Sequence, residues 1–559
     1  MSSATLPSAL DPQTQAFPTL TPAQIDRIRP LGRVRTVESG EVLFEPSGET
    51  IPFYVVLSGE LKIVQPSLDG ERAIVTHGAG EFSGEISMIS GQRSLVRGLV
   101  SAPGDFLELD NDAMRTVVAR DAELSEILLR AFILRRLALI KEGYGNLVVL
   151  GSRHSAQTLE LREFLSRNAH PYTYIDLDTD ANSQALLDRF EVKPSEVPVV
   201  ICNGGMVLRS PSIQKLAQCL RLNTTIDATH IRDLVIVGAG PSGLAAAVYA
   251  ASEGLDVVMV ETIAPGGQAG SSSKIENYLG FPTGVSGQEL AARATTQAQK
   301  FGASMMIART IVQLECEHQP YRVILDSGDV MLTRAIVIAT GAQYNKPKLS
   351  NLERFEGNGI YYGATYIESQ LCNDEEVIVV GGANSAGQAA VFLSQTARKV
   401  HLLVRSGELS STMSRYLIQR LVENPQIDLH LQTEIVGLEG ESRLEVVKWR
   451  NKTTGEVSAH AIQHVFVMTG ASPRTQWLQG CLALDDKGFI LTGRDVESLN
   501  GGPNGPKWPL KRTPQMLETS LPGVFAVGDV RSGNVKRVAS AVGEGAIAVH
   551  MVHRNLAEL

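Results

Sequence analysis

Short apolar runs broken by glycine turns fill the chain from residue 16 to about residue 110. Val42, Leu43 and Phe44 follow Gly40, the run 53–57 ends on Gly59, and Leu61, Ile63 and Val64 come directly after. This spacing predicts a β-barrel or roll. The period then lengthens. Apolar residues at Leu124, Ile127, Leu128, Ala131 and Ile133 recur at helical spacing, which predicts a helix over 122–140.

A smaller alternation follows in residues 146–223. A strand over 147–150 leads to a helix over 156–167, and a strand over 172–176 leads to another helix. A strand over 198–202, a turn at Gly204 and Gly205 and a last helix complete a small α/β unit. Residues 224–232 read as a polar linker, and residues 1–15 as a flexible tail.

From Asp233 onward, apolar strand, glycine turn and helix occur twice in succession. The run 234–251 is uncharged and about as long as a membrane span, but Gly238, Gly240, Pro241 and Gly243 interrupt it. It therefore reads as a strand, a Gly238-x-Gly240-x-x-Gly243 turn and a helix rather than as a span. Such a turn lets backbone N–H groups approach a pyrophosphate at a helix N-terminus. The next apolar strand ends in Glu261, the acid expected on a ribose hydroxyl. A purely structural glycine turn is the alternative, and the strand, helix and acid together weigh against it. The second turn reads Gly381-x-Ala383-x-x-Ala386 and includes Asn384 and Ser385. Its middle glycine is replaced by Ala383, which adds a methyl group where the pyrophosphate approaches. Arg405 ends the following strand at the place of a 2′-phosphate, which favours NADPH over NADH. A solvated surface arginine is the alternative there. A Pro/Gly-rich loop occupies 500–509.

Composition narrows the class. The 559 residues suffice for roughly three to four domains. At 43% hydrophobic and 20% charged they can fill several cores. The net charge of -9 argues against a general nucleic-acid binder, and the start of the chain has no signal-peptide pattern. The five cysteines, Cys202, Cys219, Cys316, Cys372 and Cys481, contain no Cys-x-x-Cys and suggest reduced thiols in a cytoplasm. The 11 histidines show no metal-ligand spacing, so no metal is expected.

Taken together, the first fingerprint, Gly266-Gly267-Gln268, Glu276-Asn277-Tyr278, Ala339-Thr340-Gly341, the second fingerprint and Gly528-Asp529 resemble the bacterial low-molecular-weight thioredoxin reductases over residues 233–559. The resemblance implies an FAD site containing Gly238, Gly240, Gly243, Glu261, Gly267, Gln268, Asn277, Thr340, Gly341, Gly528 and Asp529. It implies a nicotinamide site containing Gly381, Asn384, Ser385, Ala386 and Arg405. It also implies a homodimer. The departure lies at the reactive pair. Where those reductases carry Cys-Ala-Thr-Cys-Asp, this chain has Gly363, Ala364, Thr365, Tyr366 and Ile367. Without thiolates no mixed disulfide forms, and without the acid that proton donor is gone. Tyr366 and Thr365 remain the candidate catalytic residues. Tyr366 either covers the flavin face or fills the vacated volume.

Two further resemblances stand upstream. The small α/β unit, with Glu196-Val197-Pro198 before a strand, is similar to the thioredoxin or glutaredoxin fold, whose proline is usually cis. Ser155 and Thr158 occupy its Cys-x-x-Cys positions, which implies a redox-inert module. The N-terminal roll resembles the cyclic-nucleotide-binding domain of the catabolite activator family, with Gly84, Glu85, Arg93 and Ser94 in its phosphate cassette. That cassette is one residue shorter than the family's. A cyclic nucleotide and a roll retained for dimerisation or partner contact both stay open. No helix-turn-helix follows, which disfavours a transcription factor.

The expected fold is an α/β multi-domain chain. It comprises a β-roll with helices (16–145), a thioredoxin-like domain (146–225) and a Rossmann-type flavoprotein core (226–345, 346–469 and 470–559). The expected activity is NAD(P)H oxidation through FAD, with a non-disulfide acceptor: a small redox protein such as ferredoxin or flavodoxin, a quinone, or oxygen. A thioredoxin-disulfide reductase with an unseen thiol pair, Cys372 with Cys202, is one alternative. A non-enzymatic flavin or nucleotide sensor gated by the N-terminal domain is another. The expected setting is cytoplasmic, with neither nucleic acid nor membrane as partner.

Overall fold

The computed structural model describes residues 15–45, 52–67, 70–84, 96–141, 147–179, 192–193, 196–202, 206–223, 226–272, 274–364, 366–441, 443–499 and 508–559. The loop at 500–507, the tail to residue 14, Gly204, Gly205, Glu85, Arg93, Ser94 and Thr365 lie outside these residues. So do the side chains of Tyr366 and Ile367. The chain forms two compact units: residues up to 150 with 169–223 and 299–301, and residues 151–168 with 224–298 and 302–559. Among the described residues no helix is long and apolar enough to cross a membrane.

The first unit opens with the expected roll. One antiparallel sheet orders Arg33–Val37, Gly104–Leu109 and Phe53–Val56. The other orders Val42–Phe44, Arg97–Ala102, Glu60–Ser67 and Gly70–His77. Asp110 caps the helix Asn111–Arg120 by accepting from the Ala113 N–H at 2.8 Å. The helix Ala122–Lys141 then buries Leu124, Leu128, Ala131 and Phe132 in the core, three of them on the expected stripe. The rest of the unit holds a sheet ordered Met206–Arg209, Val199–Cys202, Val148–Gly151 and Thr173–Asp176. The Val197–Pro198 peptide is cis.

The second unit begins with helix α1 (Ala156–Arg167). Strand β1 (Ile231–Val237) follows, then helix α2 (Pro241–Ser252), β2 (Val257–Glu261), β3 (Ser304–Ile307), β4 (Ile311–Glu315), β5 (Tyr321–Leu325) and β6 (Val330–Ile338). Strand β1 starts within the stretch read as linker. Ile231 pairs with Leu332, and Arg232 reaches Asp256 at 2.7 Å, so tertiary partners extend the strand beyond its apolar run. Strands β3, β2, β1 and β6 run parallel, and β4 and β5 join antiparallel at the edge beyond β6.

A second parallel sheet is inserted before the first is complete. It contains β7 (Ile360–Tyr361), β8 (Glu376–Val380), β9 (Lys399–Leu403), β10 (Ile427–His430) and, after a hairpin layer, β14 (His464–Val467). Its order is β7-β14-β8-β9-β10. Helices α3 (Asn384–Leu393) and α4 (Arg415–Glu423) belong to it. The hairpin layer is β11 (Thr433–Glu439), β12 (Val446–Asn451) and β13 (Val457–His460). The chain then returns as β15 (Val524–Ala526), which pairs with β6, and ends in helix α5 (Val538–Glu558).

The cysteine expectation needs correction. Cys202 is disulfide-bonded to Cys219, and Cys316 to Cys481. The pairs lie 17 and 165 residues apart, so no Cys-x-x-Cys marked them. Cys372 is the free thiol, fully buried, so its pairing with Cys202 is not realised.

The return to β15 is anchored by Glu518, which has no exposed surface. Arg512 grips it with two bonds of 2.6 and 2.9 Å, and it accepts from the N–H groups of Gln515 and Gly523. Glu518→Ala removes the partner of a charged group and leaves two backbone donors unmet. It is expected to lower the stability of this unit by about 3–5 kcal/mol. Urea unfolding followed by tryptophan fluorescence checks this, since Trp508 lies against the Arg512 guanidinium.

Candidate functional site

The first glycine turn sits where β1 meets α2. Gly238 has a left-handed φ of 101°, and its N–H donates to Val260 O at 2.8 Å, so the turn is stitched to β2. Gly243 must lack a side chain, because a Cβ there would lie 1.9 Å from Gly238 O. Gly240 differs: a Cβ there would meet only Gly267 Cα, at 4.0 Å. The fold therefore does not need a glycine at 240. The space above it is a cradle that a side chain would fill and a bound group can enter.

Glu261 holds the loop from the next strand. Its carboxylate accepts from Ala239 N–H at 2.7 Å and Ile263 N–H at 3.0 Å. Gly267 lies across from Gly240, and the Gly266 N–H donates to Ala239 O at 2.7 Å. The Gln268 amide donates to Ala342 O, beyond Thr340 and Gly341 at the end of β6. Thr340 Oγ1 donates to Arg474 O at 3.4 Å. Asn277 is exposed and stands apart from these bonds, while its neighbour Glu276 pairs with Arg420 and Tyr416 of α4.

Gly528 and Asp529 arrive from the other end of the chain. The Gly528 N–H donates to Glu544 at 2.7 Å, and Glu544 also binds Arg531. Asp529 is half-buried, and no described residue bonds to its carboxylate. Burial raises its pKa, and Glu544 adds to that rise against the pull of Lys536. An acceptor in this state suits a ligand hydroxyl donor. Glu544, on α5, and Lys536, just ahead of it, carried no sequence signal, because only the return of the chain brings them here.

In the second sheet, Gly381 donates to Leu403 O at 3.0 Å and Ala383 caps α3. Asn384 Oδ1 accepts from Ser414 N–H at 2.9 Å, so this side chain braces the loop ahead of α4. Ala386 is buried, and Ser385 is exposed beside it. Arg405 is exposed beyond β9 with no ion pair among the described residues, so its guanidinium is available.

Helix α1 touches both halves. Arg167 donates to Gly267 O at 2.9 Å, and Asn168 donates to Ile263 O at 3.1 Å. At its other end Leu159 enters the core of the second sheet, and Ala156 faces Gly357. Ser155, expected at the first position of a redox pair, caps the helix by accepting from Thr158 N–H at 3.4 Å. Thr158, at the second, is buried with its hydroxyl oxygen unpartnered among the described residues. Both positions serve helix packing.

At the missing pair, a Cβ on Gly363 would meet nothing within 4 Å, and a helix runs Tyr366–Leu371. Cys372 follows it, and burial pushes its thiol up to about 12. In the roll, Gly84 has a φ of 109°, and its carbonyl accepts from the buried Arg135 at 2.9 Å. Arg135 also donates to Phe82 O and Ala16 O, so the helix Ala122–Lys141 is tied to the start of the cassette.

Comparison with known proteins agrees with this geometry. The family model for pyridine nucleotide-disulphide oxidoreductases matches residues 232–545, and that for the cyclic nucleotide-binding domain matches residues 34–121. The thioredoxin reductase of Mycolicibacterium smegmatis is 32% identical over 330 residues, 59% of this chain and 97% of that protein. NADPH-dependent thioredoxin reductase 3 of Arabidopsis thaliana is 30% identical over 370 residues, 63% of this chain and 65% of that protein. Among solved structures, thioredoxin reductase of Lactococcus lactis in its FR conformation is 27% identical with a TM-score of 0.52, covering 59% of this chain and all of that one. The family match alone takes in more than half of the residues, and the two glycine turns, the returning strand and the relatives agree: the chain belongs to the pyridine nucleotide-disulphide oxidoreductases, as an FAD- and NADPH-dependent oxidoreductase of the thioredoxin reductase-like kind, with a cyclic nucleotide-binding domain ahead of it.

Proposed function

We propose that this chain oxidises NADPH and delivers the electrons to an acceptor other than a protein disulfide. The observation that carries the reading is the substitution of Gly363, Tyr366 and Ile367 for two thiols and an acid. Its acceptor classes are a small redox protein such as ferredoxin or flavodoxin, a quinone, or oxygen. FAD, when bound, supplies a hydride acceptor that can release its electrons one or two at a time.

The chain's own residues bind and orient. The cradle over Gly240 fits a pyrophosphate, with the N-terminus of α2 facing it. The unbonded Asp529 carboxylate fits a hydroxyl of the ribityl chain or ribose. Thr340, Gly341, Gly267 and Gln268 line the same loop cluster. At the second sheet, Gly381, Asn384, Ser385 and Ala386 surround the α3 N-terminus, and Arg405 reads the 2′-phosphate. By the resemblance to the reductases, Tyr366 and Thr365 are the candidates for the reacting position.

Thioredoxin-disulfide reduction is the second reading, favoured by the names of the relatives and by the pair Cys316–Cys481 within the same unit. Against it, the free thiol Cys372 is buried, and burial keeps it protonated near neutral pH.

Gly240→Val is expected to fold and to purify without flavin, whereas Gly243→Ala is expected not to fold. Flavin absorbance and circular dichroism separate the two, and full FAD content in Gly240→Val would refute the cradle. Arg405→Ala should weaken NADPH by about 1.5–3 kcal/mol more than NADH. Steady-state KM values for both nucleotides test this, and equal losses would show that the arginine reads no phosphate. With NADPH the protein should reduce ferricyanide but not thioredoxin, and Cys372→Ser should leave the ferricyanide rate unchanged. Thioredoxin turnover that disappears in Cys316→Ser or Cys372→Ser would establish the second reading instead.

A further inference from the structure

Beside the residues expected to hold the nucleotides, three metal-type side chains converge on one face of the second sheet. Strands β9 and β10 pair in parallel, with His401 opposite Asp428 and Leu403 opposite His430. Residues two apart on a strand share a face, so Asp428 and His430 flank His401 from the neighbouring strand. His401 Nδ1 lies 3.1 Å from His430 Nε2, and the three residues offer ligand atoms that all lie within 4.8 Å of one another. All three are half-buried.

The surroundings complete the pattern of a ligand set. The second ring nitrogen of His401 faces Glu376 of β8 at 3.5 Å. A carboxylate in that place accepts a hydrogen bond from Nε2–H and leaves the Nδ1 lone pair directed at His430, as carboxylates commonly do behind metal-bound imidazoles. Lys399 holds one oxygen of Asp428 at 2.7 Å, which fixes the carboxylate and leaves its other oxygen available. Trp449 of β12 covers both imidazoles, with ring centroids 5.5 and 5.4 Å away, and limits access of water from that side. Two nitrogens bound tetrahedrally at zinc distances would be separated by about 3.4 Å, so the two rings need part by only a few tenths of an ångström.

We propose that His401 Nδ1, His430 Nε2 and one carboxylate oxygen of Asp428 bind a divalent transition ion of the zinc class, with water in the fourth position and Glu376 orienting His401. Two imidazoles and a carboxylate suit zinc and its neighbours, whereas calcium and magnesium prefer all-oxygen sets. The ligands come from two adjacent strands, so the ion staples β9 to β10. The Val404 N–H donates to His430 O at 2.9 Å, and Arg405 follows directly. The staple therefore lies at the root of the Arg405 loop.

The test uses the full chain with its flavin, stripped of metal by a chelator. Zn2+ is titrated in competition with a chromophoric chelator, and Co2+ serves as the spectroscopic probe. About one Zn2+ per chain is expected to bind, with a Co2+ difference spectrum of tetrahedral type and a rise in Tm on metal addition. His430→Gln and Asp428→Asn should retain flavin absorbance, lose the Tm rise and weaken Zn2+ by at least about 100-fold. Asp428 is the more exposed position, so its variant keeps the test intact if His430→Gln fails to fold. No stoichiometric uptake by the wild type, or uptake unchanged in Asp428→Asn, overturns the proposal and leaves His401 and His430 as a hydrogen-bonded pair. Flavin content and NADPH oxidation are read separately, so failure here leaves the proposed function standing.

Discussion

Everything in the larger unit hangs on backbone meeting backbone around Ser242. At Gly243 a Cβ would lie 1.9 Å from Gly238 O, and at Gly545 it would lie 2.2 Å from Ser242 O. These contacts press α2 onto the turn that precedes it and onto α5, which arrives from the far end of the chain. Interiors pack at crystal density, so a single methyl group at such a place cannot be absorbed without moving a main chain. The approach also brings Gly528 and Asp529 beside the first glycine turn. A nucleotide cradle assembled from two distant segments is only as good as that one helix crossing.

The fold keeps the scaffold of the family, and at two places where the sequence resemblances imply a thiol pair this chain carries other residues. By those resemblances Gly363 and Tyr366 correspond to one pair, and Ser155 and Thr158 to another. In the second case the replacement has a structural use. Ser155 caps α1 and Thr158 is buried, while Arg167 and Asn168 bond to the loops around Gly267 and Ile263. The helix α1 thus bonds to the loops of the first sheet and enters the core of the second.

Features set by local pattern could be read directly from the residues. The turn at Gly238, the acid at Glu261 and the helix over 156–167 need only their neighbours in sequence. The helix Ala122–Lys141 likewise followed from the recurrence of Leu124, Leu128 and Ala131. What escaped depends on distant segments meeting. Ile231 and Arg232 are in a strand because Leu332 and Asp256 receive them. Cys316 meets Cys481 across 165 positions. His401 and His430 are neighbours only because two parallel strands set them side by side, and Glu544 reaches Gly528 only through α5.

The interrupted first sheet also dictates an order of assembly during synthesis. Strand β6 finds its partner β15 only after about 190 further residues, with Ile336 beside Val524. At ribosomal rates of ~5–20 residues per second, β6 waits roughly 10–40 s with that edge unpaired. The inserted sheet carries its own core and is complete before β15 emerges, so it can fold first and hold the two ends of its host in reach. The unsatisfied edge of β6 is meanwhile a surface on which a nascent chain can mispair.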